Sequence, residues 1–427
     1  MRMISQIELV CSSEGTTIRL KVTEAPVEGA ERMDGGTGIG ARLRTLRRDA
    51  DLTQEQLAEA AGVSVDLIGK LERGDRPSAR LSSLLKLATA LDVDLSALAG
   101  KRPRLDHGED ASILAVRDTV LAPGVLPGIT DEDSDAPRLT DLERTVRGAW
   151  LDYWGGRLSR LTTIVPGLLG EARMASHEYG PGAARSLAQA YQLAACLLVH
   201  LGKDDLAVMA AERAVNASMN GDDRLLWATM NGTWAWCVHH QGRLDAAERH
   251  ALRVAEEIEP DFTRSPLPHL TVWGGLILTG LASAAAAERV NEVREYIGLA
   301  RTGTGRFEGD RHDYEVSYGP SQVQTQACHA WTMLRKPDEA LKAAKGVHRA
   351  DLYGISYGRH LLDKASAHTD ARHFQTAESV LAEAQGISAE WFRHQGPARA
   401  LVGELVRESR RLTPGLRRLA RMVDVER

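Results

Sequence analysis

Three side chains with different hydrogen-bonding chemistry stand close together, at Val65, Asp66 and Lys70. An ammonium group such as that of Lys70 can donate hydrogen bonds to guanine O6 and N7, and a carboxylate such as that of Asp66 can accept one from cytosine N4. A small apolar side chain such as that of Val65 can contact a thymine methyl group. Three arginines able to bind phosphate groups follow: Arg73, Arg76 and Arg80. This chemistry would allow contacts to DNA bases and phosphates.

Charge alone does not establish DNA binding, because residues 38–100 hold nine basic and nine acidic side chains.

The sequence contains only weak matches to catalytic, phosphate-binding and metal-binding motifs. Residues 354–358 match the GxSxG nucleophile motif, which needs a strand-to-helix turn on a sheet that the sequence does not predict. Residues 35–38 lack the lysine and strand of a phosphate loop and indicate a hinge. His239, His240 and His250 lack a partner carboxylate at metal-ligand spacing. We expect no enzyme activity, cofactor or metal.

Helix-capping residues determine how the base-reading side chains are positioned. A first helix is predicted over residues 39–48. Thr53 begins the second helix, over 54–61, which ends at Gly62, and Ser64 begins the third, over 65–73, which ends at Gly74. Further helices are predicted over 79–90 and 95–99. A three-residue turn between short helices fixes them at a steep angle, which suits the third helix to a DNA major groove.

This segment resembles the Cro/CI-type (XRE) helix-turn-helix repressor family. The matching residues are 52–58 (Leu-Thr-Gln-Glu-Gln-Leu-Ala), 62–64 (Gly-Val-Ser), Ile68, 71–74 (Leu-Glu-Arg-Gly) and 85–91 (Leu-Lys-Leu-Ala-Thr-Ala-Leu). The resemblance implies that Arg47 of the first helix pairs with Glu72, whether or not the segment binds DNA. It also implies a set of DNA-binding residues: Gln54 at phosphate or base, Ser64, Val65, Asp66 and Lys70 at the recognition helix, and Arg73, Arg76 and Arg80 at phosphate.

Two segments flank this domain. In residues 1–37, alternation over 4–10 and 17–22 around a turn at 12–15 indicates a hairpin. Two strands alone are barely stable in water, so the sequence favours a disordered arm, and translation starting at Met1 or at Met33 stays open. Residues 101–137 indicate a linker, with a helix over 111–121, proline and glycine, and an acidic run at 131–135.

Residues 138–427 indicate helical repeats. Small residues seven apart recur at Ala207/Ala214, Ala247/Val254, Val293/Ala300, Ala340/Val347 and Ala377/Ala384. The anchors stand 40, 46, 47 and 37 residues apart, and residues 202–215 and 242–260 resemble tetratricopeptide repeats. We expect an all-α chain, with a five-helix DNA-binding domain and an α-solenoid of five or six helix pairs ending in a capping helix over 412–422.

Composition limits the class of protein. The chain has 427 residues, a net charge of −5, 43% hydrophobic residues and four cysteines, and these lie far apart without a CxxC pair. This cysteine usage indicates a reducing compartment. The sequence also leads us to expect no apolar stretch long enough to span a membrane and no secretory signal. A cytoplasmic protein associated with the nucleoid, without a membrane partner, is the expectation.

The layout as a whole resembles the peptide-sensing quorum regulators. That resemblance implies a homodimer on an inverted-repeat operator, with a peptide or small-molecule effector in the solenoid that modulates DNA binding. Asn231 and Trp234 are the candidate effector contacts, because an amide on the first helix of a repeat pair can bond a peptide backbone. Two alternatives stay open: a ligand-free phage- or plasmid-type repressor, and an interaction scaffold with a non-functional head.

Overall fold

The computed structural model describes residues 7–12, 15–20, 39–76, 79, 81–93, 98, 109–122, 136–409 and 411–425. The chain divides into two units, Met1–Gly36 and Thr37–Arg427. In the first unit, β1 (Ile7–Ser12) and β2 (Gly15–Leu20) pair antiparallel, with Ile7 opposite Leu20. For these two strands the structure therefore has the hairpin that the alternating pattern indicated. It does not have the disorder that we expected there because two strands alone are barely stable.

Four described helices form the head: α1 (Ile39–Asp49), α2 (Gln54–Ala61), α3 (Val65–Glu72) and α4 (Leu81–Ala90). Thr53 and Gln56 form the reciprocal capping box at the start of α2, and Gly62 ends this helix with φ of 59° in the left-handed region. The Ser64 hydroxyl accepts the Leu67 N–H at the start of α3. These caps explain why the predicted bounds of α2 are those observed. Of the predicted helix over 95–99, only Leu98 is described.

The core of the head depends on a close contact between α1 and α3. Leu43, Ile68 and Leu71 are fully buried there. A Cβ atom added at Gly40 of α1 would lie 1.7 Å from the Leu71 carbonyl oxygen, so no larger residue fits at this crossing without a backbone shift. No local sequence pattern marks this requirement.

A helix inside the predicted linker belongs to the helical repeat region. Helix α5 (Glu109–Leu121) buries Val116 and Val120 in the core of that region. Arg213 donates to the Ala122 carbonyl oxygen at 2.8 Å, and Arg173 donates to the Thr119 carbonyl oxygen. The helix that the sequence predicted over 111–121 is thus present, but the solenoid covers two of its valines, so the structure differs from the assignment of all of residues 101–137 to a linker.

Six helix pairs form the solenoid: α6 (Leu139–Trp154) with α7 (Leu158–Tyr179), α8 (Ala184–His200) with α9 (Asp204–Ser218), α10 (Arg224–His240) with α11 (Leu244–Glu257), α12 (Leu267–Ala286) with α13 (Val290–Gly303), α14 (Pro320–Met333) with α15 (Pro337–Ala344), and α16 (Gly354–Asp370) with α17 (Phe374–Ile387). Helices α18 (Ala389–Arg393), α19 (Gly396–Glu408) and α20 (Pro414–Met422) close the array. The expected all-α architecture, with paired helices and a capping helix, is confirmed.

The turns within the pairs share one backbone conformation. One residue in each adopts positive φ: Gly156, Gly202, Gly242, Glu288, Arg335 and Arg372. Glycine adopts this conformation without strain, whereas the last three positions hold it at a steric cost. The repeats therefore look degenerate in sequence although their turns are alike in structure. Most predicted anchors are buried, but Val347 lies beyond the end of α15 and is not helical.

Two features of the solenoid correct the sequence expectations. Helix α12 is long and apolar enough to span a membrane by length and composition, but 78% of its most apolar window is buried inside the protein. A short antiparallel hairpin, β3 (Arg311–Asp313) and β4 (Val316–Tyr318), interrupts a region expected to be entirely helical. The hairpin packs on two glycines of α12: a Cβ added at Gly274 would lie 2.2 Å from the Tyr318 ring, and one at Gly275 would lie 2.4 Å from Val316.

Candidate nucleic-acid interface and ligand cavity

The outer face of α3 presents the predicted base-reading side chains to solvent. Val65 is 40% exposed. The Lys70 Nζ and Asp66 Oδ2 atoms form an ion pair at 2.8 Å, with side chains 49% and 66% exposed. An exposed pair of this kind stabilises a helix by only ~0.3–0.5 kcal/mol, so both groups can exchange it for base contacts at little cost.

A buried ion pair holds the other face of α3. The Arg47 guanidinium donates to both Glu72 carboxylate oxygens, at 2.7 Å and 2.9 Å, and to the Leu52 carbonyl oxygen at 2.7 Å. The two side chains are 11% and 4% exposed. Burial alone would raise the pKa of Glu72, but hydrogen bonds from Arg47 and Gln54 keep this pKa below its ordinary value. The pair thus ties the end of α3 to α1, as expected.

The other predicted DNA contacts differ in their surroundings. The Gln54 amide donates to Glu72 Oε2 at 2.8 Å, so in this structure it belongs to the buried network rather than to the open face. The Ser64 hydroxyl caps α3. Arg73 forms an exposed ion pair with Asp75, and Arg76 is half-buried. Arg80 lies outside the described residues.

A cavity of about 290 Å³ lies in the solenoid. Its walls come from the first helix of every pair, α6, α8, α10, α12, α14 and α16, together with the β3–β4 hairpin and α18. Aromatic side chains form much of the wall: Trp150, Tyr153, Trp154, Trp236 and Trp391. A wall of rings with scattered polar groups is typical of small-molecule sites.

The predicted effector contacts are not part of this cavity. The Asn231 amide donates to the Trp227 carbonyl oxygen at 2.9 Å, and its oxygen lies 2.9 Å from His250 Nε2. Trp234 packs on the His250 ring, with centroids 4.5 Å apart. Both residues therefore lie on α10, but on another face of this helix than the residues that line the cavity. The cavity is lined instead by Gly232, Thr233 and Trp236 of that helix, among other residues.

Several polar atoms in the cavity wall are buried and have no hydrogen-bond partner among the described residues. They are Trp150 Nε1, Gln192 Oε1, Gln322 Oε1, Thr325 Oγ1, Asp363 Oδ2 and Trp391 Nε1. Buried polar groups in proteins nearly always have a partner. Six such atoms thus belong to residues that line the cavity, although the atoms themselves expose almost no surface to it.

The charged groups of the cavity are unequally paired. Asp363 Oδ1 lies 3.0 Å from His329 Nδ1, and Glu315 Oε2 accepts the Trp154 indole N–H at 2.9 Å. Burial raises the pKa of Glu315. Arg359 of α16 also lines the cavity, half-buried, with no ion pair or hydrogen bond to any residue that the structure describes. Burial, with His329 and Arg359 nearby, lowers the pKa of His239 to about 4, so this ring is neutral at pH 7.

Sequence reasoning missed the cavity because its residues come from helices spread over positions 150 to 391. One signal was present: the Ser356 of the GxSxG pattern lines the cavity. Residues 354–358 form the first turn of α16 rather than a strand-to-helix turn, so the nucleophile geometry is absent at this position.

Comparison with known proteins gives matches concentrated in the head. Residues 39–99 match the helix-turn-helix domain family. The immunity repressor of Bacillus phage phi105 is 40% identical over 63 residues, which span 15% of this chain and 43% of that protein. The HTH-type transcriptional regulator y4mF of Sinorhizobium fredii is 34% identical over 70 residues, 16% of this chain and 91% of that protein.

One solved structure aligns over a longer span. The crystal structure of Bacillus thuringiensis PlcR in complex with the peptide PapR7 and DNA covers 81% of this chain and 99% of the PlcR chain. The identity is 12% and the TM-score is 0.37.

Proposed function

Because the chain belongs to the helix-turn-helix family of transcriptional regulators, we propose that it binds specific DNA sequences with α3 in the major groove. The observation that carries this proposal is the exposed trio Val65, Asp66 and Lys70 on a helix whose opposite face is anchored by Arg47 and Glu72. Gln54, Ser64, Arg73, Arg76 and Arg80 complete the proposed contacts. Binding at the nucleoid, in the cytoplasm, follows from this role, and no catalytic step is part of it.

The solenoid is proposed to serve two further roles. It holds two copies of the chain together on an inverted-repeat operator, and it binds a peptide or small-molecule effector that modulates DNA binding. Support for the effector comes from the cavity, where the half-buried Arg359 lacks a partner among the described residues. In this arrangement residues 38–100 bind DNA, and the region from α5 onward binds the effector and forms the dimer.

Selection from a pool of random duplex DNA with the full-length protein tests the DNA-binding role. We expect enrichment of an inverted repeat. The Asp66→Ala/Lys70→Ala variant should fail to retain the selected site, whereas Lys86→Ala, which removes an exposed charge from α4, should retain it. If the wild-type protein enriches no sequence, or if the double variant retains the site as well as wild type does, the head does not read DNA through α3.

A further inference from the structure

We propose that the solenoid cavity binds a small organic anion with a planar apolar body, and that Arg359 pairs with the anionic group. This inference deepens the proposed function, since it takes the cavity as the effector site and names the class of ligand. The aromatic wall, the size of the cavity and Arg359, which has no partner among the described residues, point to such a ligand.

Arg359 is the group in the cavity wall that calls for an acceptor. The carboxylates of the wall have a donor at one oxygen each, Asp363 Oδ1 from His329 and Glu315 Oε2 from Trp154, and Asp363 Oδ2 has no partner among the described residues. Neither carboxylate forms an ion pair with Arg359 in the part of the chain that the structure describes. Arg359 carries five N–H donors and has no acceptor among the described residues, although it is half-buried. A guanidinium removed from water without a partner is unfavourable, and a carboxylate or sulfonate is the complement that its planar fork binds best.

The wall of the cavity suits a planar body. Trp154 and Trp236 are partly exposed and present ring surface to the cavity, and the buried Trp150 stacks on Trp154 with ring centroids 6.1 Å apart. Flat rings gain from offset-stacked or edge contacts with such side chains. Two indole donors, Trp150 Nε1 and Trp391 Nε1, and two amide oxygens, of Gln192 and Gln322, lack partners among the described residues, but they are buried behind the cavity surface and supply no direct contact in this structure.

The β3–β4 hairpin favours a compact ligand. Its turn residues Tyr314 and Glu315 both adopt positive φ, of 56° and 62°, a strained conformation for side chains other than glycine. The turn is held by the Tyr314 hydroxyl, which hydrogen-bonds Asp223 at the start of α10. Glu315 and Val316 then form part of the wall, and the remaining cavity of about 290 Å³ matches a ligand of one to three rings.

Two fluorescent probes that differ by one charged group test this proposal on the full-length protein. Anilinonaphthalene sulfonate carries a sulfonate on a planar naphthalene ring that also bears a phenylamino group, and N-phenylnaphthylamine has the same rings without the sulfonate. We expect saturable binding of the sulfonate at one site per chain. Arg359→Gln should weaken that binding by at least about tenfold and leave N-phenylnaphthylamine binding unchanged, because only the charge-assisted hydrogen bonds are lost. Arg359→Lys should retain part of the affinity.

Lys364→Gln is the matched control, since it removes the same charge from the same helix outside the cavity wall. Equal sulfonate affinity in wild type and Arg359→Gln would overturn the proposal, as would an equal loss in Lys364→Gln. A variant that unfolds is recognised because it also loses N-phenylnaphthylamine. DNA binding is measured separately on the selected site. A failure of sulfonate binding therefore does not contradict the DNA-binding role, and a failure of DNA binding does not affect the conclusion from the sulfonate experiment.

Discussion

Lys70 and Asp66 are paired with each other on the free protein, and this affects what each substitution removes. Lys70→Ala should lose about 1–3 kcal/mol on the cognate operator and relax the preference at one base pair, because a direct donor to a base edge is gone. Titration of the selected site and of its single-base variants gives both quantities. An unchanged affinity for the cognate site would contradict the placement of α3 in the groove.

Arg76→Ala is the contrasting change at the same scale. A phosphate contact carries no sequence information, so this variant should lose about the same affinity for every DNA sequence. The slope of log affinity against log salt concentration should become less steep by about one. The measurement is the dependence of affinity on salt concentration for cognate and unrelated duplexes. A loss confined to one base pair would place Arg76 at a base instead.

Arg47 should matter for stability rather than for base preference. Arg47→Ala leaves Glu72 nearly buried with only Gln54 as a donor, at a cost of about 1–3 kcal/mol in the local stability of α3. Amide hydrogen exchange over residues 65–72 of the full chain measures this. Unchanged protection would show that the pair does not hold the helix.

The same pair predicts a pH dependence. Because the folded-state pKa of Glu72 is lowered, its stabilisation is present above the unfolded value of roughly 4.3 and is lost as the pH falls through the folded value. Protection of α3 in wild type should therefore fall towards that of Arg47→Ala on acidification. A constant difference between the two proteins across the acid range would contradict this.

At the scale of elements, the crossing of α1 and α3 depends on Gly40. Gly40→Ala should destabilise the head by about 1–3 kcal/mol, because the added methyl group meets backbone atoms of Leu71 that cannot move independently. Gly69→Ala is the control: its added methyl group comes close only to the flexible end of Arg73, at 2.9 Å, with Gln54 Oε1 at an ordinary contact distance of 3.8 Å, and alanine has the higher helix propensity. Hydrogen exchange in α1 and α3 should be faster in the first variant and not in the second.

Features that depend on neighbouring residues could be predicted from the sequence, and features that depend on distant residues could not. The bounds of α2 follow from Thr53, Gln56 and Gly62, which act within a few residues, and they were predicted correctly. Gly40 and the Gly274–Tyr318 contact depend on partners tens of residues away, and no local pattern marks them. Three of the repeat turns cannot be recognised from the sequence, because a residue other than glycine adopts positive φ in each of them. These residues are Glu288, Arg335 and Arg372.

At the scale of the whole molecule, formation of a dimer is expected to determine the affinity for the operator. One helix-turn-helix head contacts about half of an operator, and its few phosphate contacts leave it weakly bound at physiological salt. Two heads related by a two-fold axis match an inverted repeat with half-sites about one helical turn apart. Since α5 is covered by the solenoid, the repeat region that assembles should extend from residue 109 rather than from 138.

This arrangement predicts different behaviour for the whole chain and for its head. Full-length protein should be a dimer by light scattering, and a protein ending at residue 104 should be a monomer that binds the full operator far more weakly. The difference arises because a second head tethered through the dimer has a high effective concentration at the second half-site. Inserting half a helical turn of DNA between the half-sites should reduce full-length affinity while leaving the monomeric head unaffected. A monomeric mass for full-length protein would refute the arrangement.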